Sequence, residues 1–221
     1  MQAVLFDLDE TLIRRDIAIR KFIASQYERF SRAMGSVRPE DYASTFLAAE
    51  DDGRIDKAKV YPAFVQSLGL KGLNADELLA DYRQRYPSFA TLNPGAADTL
   101  GALHEQGFKL GIVTNGNAQV QNGKIDAIGL RSLLSSVIIS ETVGLNKPDP
   151  AIFSLAANGL GLGVGECVFV GDNPAVDIVG ADNAGMTGIW FRAGGSWPAM
   201  LTPPRFEIDA LPQCLPIVDA T

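Results

Sequence analysis

A chain of 221 residues can bury one core plus a smaller insert, and 47% apolar with 20% charged residues is the composition of a globular protein, not a disordered or fibrous one. A net charge of −7 and a pI near 4.7 speak against non-specific nucleic-acid binding, which needs basic patches. No apolar run approaches the roughly 18 residues of a membrane span, the early Asp7 and Asp9 with no basic region predict no signal peptide, and Cys167 and Cys214, too few for a disulfide framework and without metal-ligand spacing, make a reducing cytoplasm the expected compartment.

In chain order, "AVLFDLD" (3–9) comes first: an apolar run without inside/outside alternation, as expected of a strand covered on both faces. Residues 14–90 contain no convincing strand. "IRKFIASQYERFSRAM" places Phe22, Ile23, Tyr27, Phe30 and Met34 on one helical face, and helices are predicted over 39–50, 56–70 and 74–86, the last with Asn74 as N-cap. Four helices in succession predict an inserted domain over 15–90, with hinges near Arg14–Asp16 and Pro87–Pro94, and a core of 1–14 and 91–221. Beyond it, helices over 94–107, 117–130, 149–160 and 173–185 alternate with strands over 109–115, 136–140, 167–172 and 187–191. Asp149 and Pro150 start one helix; Pro174 and Gly185 bound another. The single histidine, His104, falls where a helix C-terminus is expected, so it reads as a partner of the helix dipole and not as a catalytic group. The Pro-rich tail holds one edge strand within 206–211. The pattern predicts an α/β fold: a Rossmann-like, three-layer core with a parallel sheet, plus a four-helix insert.

Open α/β sheets bind ligands beyond the carboxyl ends of their strands. Those ends carry Asp7 and Asp9, then Thr114 and Asn115, then Lys147 in "GLNKPDP", then Asp172, with Asp177 five residues later. Four carboxylates converging without a cation would repel one another. Hard oxygen ligands suit Mg²⁺, which is usually bound beside a phosphate, and a hydroxyl, an amide and an ammonium can hold phosphate oxygens. The set reads as a Mg²⁺-dependent phosphoryl-transfer site.

"DLDET", "VTN", "KPDP" and "GDNPAVD", in this order at strand ends, resemble the four motifs of the haloacid dehalogenase superfamily, and the helical insert resembles its small α-helical cap. The resemblance spans roughly residues 3–192. It implies that Asp7 is the nucleophile that forms an aspartyl-phosphate and that Asp9 is the general acid and then the general base. It implies that Thr114, with Asn115 beside it, binds the transferring phosphoryl group and that Lys147 neutralises charge on Asp7 and the phosphate. It implies that Asp172 ligates Mg²⁺ together with Asp7 and the Asp9 backbone carbonyl, and that Asp177 ligates through water or supports the site.

Each residue also has a plainer role to set against this. Asp7 and Asp9 suit a turn, Thr114-Asn115-Gly116 a turn and N-cap, Lys147 a solvated loop, Asp172 a helix cap, Asp177 a helix surface, and Thr11 a capping hydroxyl. The acids of "EDDGRID" lack the spacing of a calcium loop and read as a solvated turn. The implied reaction is hydrolysis of a small phosphorylated metabolite. The alternatives are a phosphomutase with the same motifs, a metal-independent 2-haloacid dehalogenase, which does not need Asp9, and a non-catalytic phosphate-binding relative. A phosphonatase would need a desolvated cap lysine, and nothing in the sequence marks Lys57 or Lys59 as one. Arg54, the cation in the acidic cap turn, is expected to contact the leaving group, against the equal expectation of a solvent-facing side chain. The cap aromatics Tyr27, Tyr42, Phe46 and Tyr61 are expected to be core.

Overall fold

The computed structural model describes residues 1–70 and 72–220; Lys71 of the insert span and Thr221 of the core span lie outside the described residues. The chain forms two compact units, Met1–Arg14 with Thr91–Thr221, and Arg15–Ala90.

In the larger unit β1 (Ala3–Phe6) comes first. The smaller unit follows with α1 (Arg15–Arg29), α2 (Pro39–Glu50), α3 (Lys57–Ser67) and α4 (Ala75–Arg85). The larger unit resumes with α5 (Ala96–Glu105), β2 (Lys109–Thr114), α6 (Ala118–Ala127), β3 (Ser136–Ile139), α7 (Ser140–Val143), α8 (Pro150–Gly159) and β4 (Cys167–Gly171). A wide π-type turn at Pro174–Ile178 leads into α9 (Val179–Ala184), then β5 (Thr187–Phe191), β6 (Phe206–Ile208) and α10 (Leu215–Ala220). Among the described residues the sheet has six strands in the order β3-β2-β1-β4-β5-β6, every neighbouring pair parallel.

β1 is therefore central, and all four of its side chains are fully buried. Leu5 joins Val113, Phe169 and the α8 residues Ile152, Phe153 and Ala156 in one cluster. Val4, Phe6, Leu110, Ile112, Val168 and Val170 on the other face are equally buried. That is why these strands read as unbroken apolar runs. Past β1 the chain turns back, and two stretches pair across it: Arg14 N–H donates to Thr91 O at 2.8 Å and Asn93 N–H to Leu12 O at 2.8 Å. The Asn93 amide also donates to the carbonyls of Glu10 (3.0 Å) and Thr11 (2.8 Å). The predicted helix over 173–185 begins with the wide turn, and α7 and α10 were not expected. No helix among the described residues is long and apolar enough to cross a membrane, and both cysteines are free and buried.

The smaller unit is held by aromatic packing around one buried amide. Tyr42, Phe46, Tyr61 and Phe64 are fully buried, and their rings meet mostly edge to face. Gln26 of α1 accepts from Tyr42 and Tyr61 hydroxyls, each at 3.1 Å, and donates to Leu78 O and Asp81, each at 3.0 Å. One amide thus ties all four helices of this unit. Lys57, which nothing in the sequence marked as desolvated, is buried: its ammonium lies 2.9 Å from the buried Glu50 carboxylate, which also pairs with Arg15. An ion-paired ammonium has no free lone pair for imine formation.

Candidate active site

The carboxyl ends of β1, β2 and β4 lie side by side, because Phe6 is in register with Ile112 on one flank and Val170 on the other. Asp7 extends the β1 pairing by donating its N–H to Val170 O at 2.9 Å, which directs its side chain off the strand end. The Lys147 ammonium, on the loop after α7, lies 2.6 Å from Asp7 Oδ1 and 2.6 Å from Asp177 Oδ1. Asp177 returns to the site through the wide turn, and its other oxygen accepts from Asn173 N–H at 3.0 Å. Gly171 makes this possible, since a Cβ there would stand 2.5 Å from the Asp177 Cβ. Asp172 accepts from the Thr11 hydroxyl at 3.0 Å, while the Trp190 indole donates to its carbonyl at 2.9 Å.

Asp7, Asp172 and Asp177 each offer a carboxylate oxygen, and these atoms lie within 4.8 Å of one another. Asp7 and Asp177 share the Lys147 ammonium, and the third carboxylate, Asp172, stands beside them. Burial pushes the Asp7 carboxyl up to about 7, with the Lys147 charge opposing and Asp177 adding to the shift. Burial, helped by the charges of Asp7 and Asp177, pushes Asp172 up to about 8. For Lys147 burial works against the charge, but Asp177 and Asp7 outweigh it and hold the ammonium above the ordinary lysine range. Such a hard-oxygen cluster, short of positive charge, suits a divalent cation.

Asp9 projects toward α6. Its two oxygens lie 2.8 and 2.9 Å from the Lys124 ammonium, and the Gln121 amide donates to one of them at 2.9 Å. Thr114 is buried, and its hydroxyl accepts from the same Gln121 amide at 2.7 Å. The Asn115 side chain bonds to the Lys147 backbone twice, donating to its carbonyl at 3.0 Å and accepting from its N–H at 2.9 Å. What Asn115 positions here is the lysine. Arg54 lies in the smaller unit, largely exposed, 3.2 Å from Asp51.

Comparisons with known proteins identify the family. The sequence profile of the haloacid dehalogenase-like hydrolases matches residues 1–185. The chain belongs to this family. A ribulose-1,5-bisphosphate 5-phosphatase of Halopiger xanaduensis is 30% identical over 200 residues, covering 86% of this chain and 84% of that protein. A glyceraldehyde 3-phosphate phosphatase of Methanopyrus kandleri is 45% identical over 101 residues, covering 46% of this chain and 43% of that protein, so the chain aligns with less than half the length of that relative. Among solved structures, a haloacid dehalogenase superfamily phosphatase from Thermococcus onnurineus superposes with a TM-score of 0.74 at 33% identity, over 99% of this chain and 98% of that one.

Within this family frame, several side chains at the site have no counterpart in the motif reading. Asn173, given no role from sequence, caps the turn that follows, accepting from Ala175 and Val176 N–H at 3.2 and 3.1 Å, so Asp172 is not needed as the cap. Thr11 bonds to Asp172 instead of capping a helix. Gln121 and Lys124 of α6 belong to none of the four motifs. Their signal was available: both fall on the stripe of Val120 and Ile125, where a helix that only packs carries apolar residues. His104 sits exposed in the last turn of α5.

Proposed function

We propose that this protein is a Mg²⁺-dependent phosphatase of small phosphorylated metabolites that works through a phosphoryl-enzyme on Asp7. The observation that carries the reading is the Lys147 ammonium, 2.6 Å from Asp7, inside a cluster of buried carboxylates at the end of the central strand. The ammonium favours the charged form of Asp7 against the effect of burial and draws off charge as the phosphoryl group arrives. An Asp7 oxygen bonds to phosphorus, the bond to the ester oxygen breaks, and the leaving oxygen takes a proton from Asp9, which enters this step as the carboxylic acid. Water then attacks phosphorus, gives its proton to Asp9, and frees Asp7 and inorganic phosphate. Thr114 holds a phosphoryl oxygen throughout.

Asp7, Asp172 and Asp177, with the Asp9 carbonyl, are the groups that would hold Mg²⁺. When bound, Mg²⁺ supplies positive charge that offsets these carboxylates and the phosphoryl oxygens. The second carboxylate, Asp9, supports phosphate-ester hydrolysis over dehalogenation, because it is fixed by two donors through three bonds and not left as a spare surface acid. Two relatives carry names of sugar-phosphate and triose-phosphate phosphatases, which supports a substrate of that size. The test is phosphate release from a small panel of phosphometabolites. Release with Mg²⁺ and none with EDTA is expected. Metal-independent halide release from 2-chloropropionate, or interconversion of two sugar phosphates without loss of phosphate, would overturn the reading.

A further inference from the structure

The buried stripe of α6 carries two polar side chains, Gln121 at 2% and Lys124 at 3% exposure. An enclosed ammonium is costly unless its charge is met, and an enclosed amide unless it is bonded. Leucine or isoleucine would serve if α6 had only to pack. Instead both side chains reach out of the helix, one turn apart, to groups of the candidate active site.

We propose that Gln121 and Lys124 are positioning residues for phosphoryl transfer: Lys124 fixes the Asp9 carboxylate, and Gln121 locks it to Thr114. This rests on the phosphatase reading above. Asp9 lies beyond the end of β1, and its side chain is 23% exposed, so packing alone does not choose its rotamer. Three bonds do: two from Lys124 at 2.8 and 2.9 Å and one from Gln121 at 2.9 Å. The same Gln121 nitrogen donates to Thr114 Oγ1 at 2.7 Å and to Asn115 O at 3.3 Å. Because Gln121 donates into the threonine oxygen, the hydroxyl must act as donor; its acceptor here is Asn115 O at a long 3.4 Å, and a phosphoryl oxygen would take that proton at shorter range. Gly116 makes room for this. With φ at 140°, it has no Cβ where one would stand 3.2 Å from Gln121 Cγ and Cδ. The amide thus sets the spacing between the proton-transfer group and the phosphate-binding hydroxyl.

The experiment compares wild type, Asp7→Asn, Lys124→Met, Lys124→Arg and Gln121→Leu on one panel phosphoester at saturating Mg²⁺, with melting curves and crystal structures. Lys124→Met and Gln121→Leu are expected to lower kcat about 10²-fold, the effect of misplacing a reacting group by about 1 Å. KM should change far less, since the lost interaction serves the transition state. Lys124→Arg should recover part of the rate, and the Asp9 carboxyl should be turned in the Lys124→Met crystal. If Lys124→Met does not fold, Gln121→Leu, close in shape to the native side chain, carries the test. A lowered melting temperature with unchanged kcat in either folded variant overturns the proposal, because it assigns these groups to packing alone. An active wild type with an inactive Asp7→Asn, beside two variants at wild-type kcat, overturns this inference and leaves the phosphatase reading standing. A wild type that releases no phosphate overturns both.

Discussion

Two buried glutamines use one physical device for different ends. Gln26 in the smaller unit and Gln121 in the larger are both almost wholly enclosed, and both have their amides bonded. Gln26 holds two tyrosine hydroxyls, a helix carbonyl and Asp81, which in turn pairs with Arg29. Burial pushes the Tyr42 and Tyr61 hydroxyls up, so they stay neutral donors. Gln121 holds a carboxylate that faces a buried lysine and a hydroxyl at a strand end. A satisfied amide says only that a position is fixed. What it fixes separates architecture from chemistry: helices in one case, titratable and hydroxyl groups at the sheet edge in the other.

Several experiments sharpen or break that contrast. The largest effect is expected at the sheet edge itself. Asp9→Asn should bind substrate yet turn over about 10²–10⁴-fold more slowly, the usual worth of general acid–base catalysis, as read by steady-state phosphate release. Gln26→Leu should leave kcat of the folded protein unchanged. It leaves two buried tyrosine hydroxyls without their acceptor and takes one donor from Asp81, so a loss of about 2–4 kcal/mol is expected in urea unfolding. If Gln26→Leu instead slowed turnover as Gln121→Leu is expected to, the contrast between the two amides would be wrong.

A smaller effect is expected from pH. Asp7 and Asp172 are raised to about 7 and about 8 in the folded protein, well above the carboxylate value near 3.8 that the unfolded chain has. A raised carboxyl favours the folded state while it is neutral, and that contribution fades as pH rises through the folded value. Metal-free protein in EDTA should therefore melt lower at about pH 8.5 than at about pH 6, and Mg²⁺ should flatten the difference. Smallest of all, Arg54→Ala should change stability by less than about 0.5 kcal/mol in thermal melts, because its exposed pair with Asp51 is screened by water. Any loss of kcat/KM in that variant then reports contact with substrate.

Much of the sheet was legible because central parallel strands leave an unmistakable trace: β1, β2 and β4 are apolar runs with no alternation, and the polar residues at or just past their ends mark the carboxyl edge. That is how Asp7, Thr114 and Asp172 could be placed together without coordinates. Asp177 was harder. Its return to the site depends on a π-type turn and on the missing Cβ of Gly171, and a 3.6-residue periodicity encodes neither. The burial of Lys57 left no mark in the sequence, because its ion pair with Glu50 forms only when the ends of α2 and α3 come together. Gln121, Lys124 and Gln26 were legible in principle, as polar residues on buried helical stripes. They lie away from the strand ends that the four motifs occupy.

The central claim is that Asp7 carries the phosphoryl group. It is tested most directly by quenching wild type in acid during turnover with Mg²⁺ and mapping the adduct by peptide mass spectrometry. A phosphoryl group on the peptide that holds Asp7, absent in Asp7→Asn, is the predicted result; turnover with no adduct there, or an Asp7→Asn variant that still releases phosphate, would contradict it.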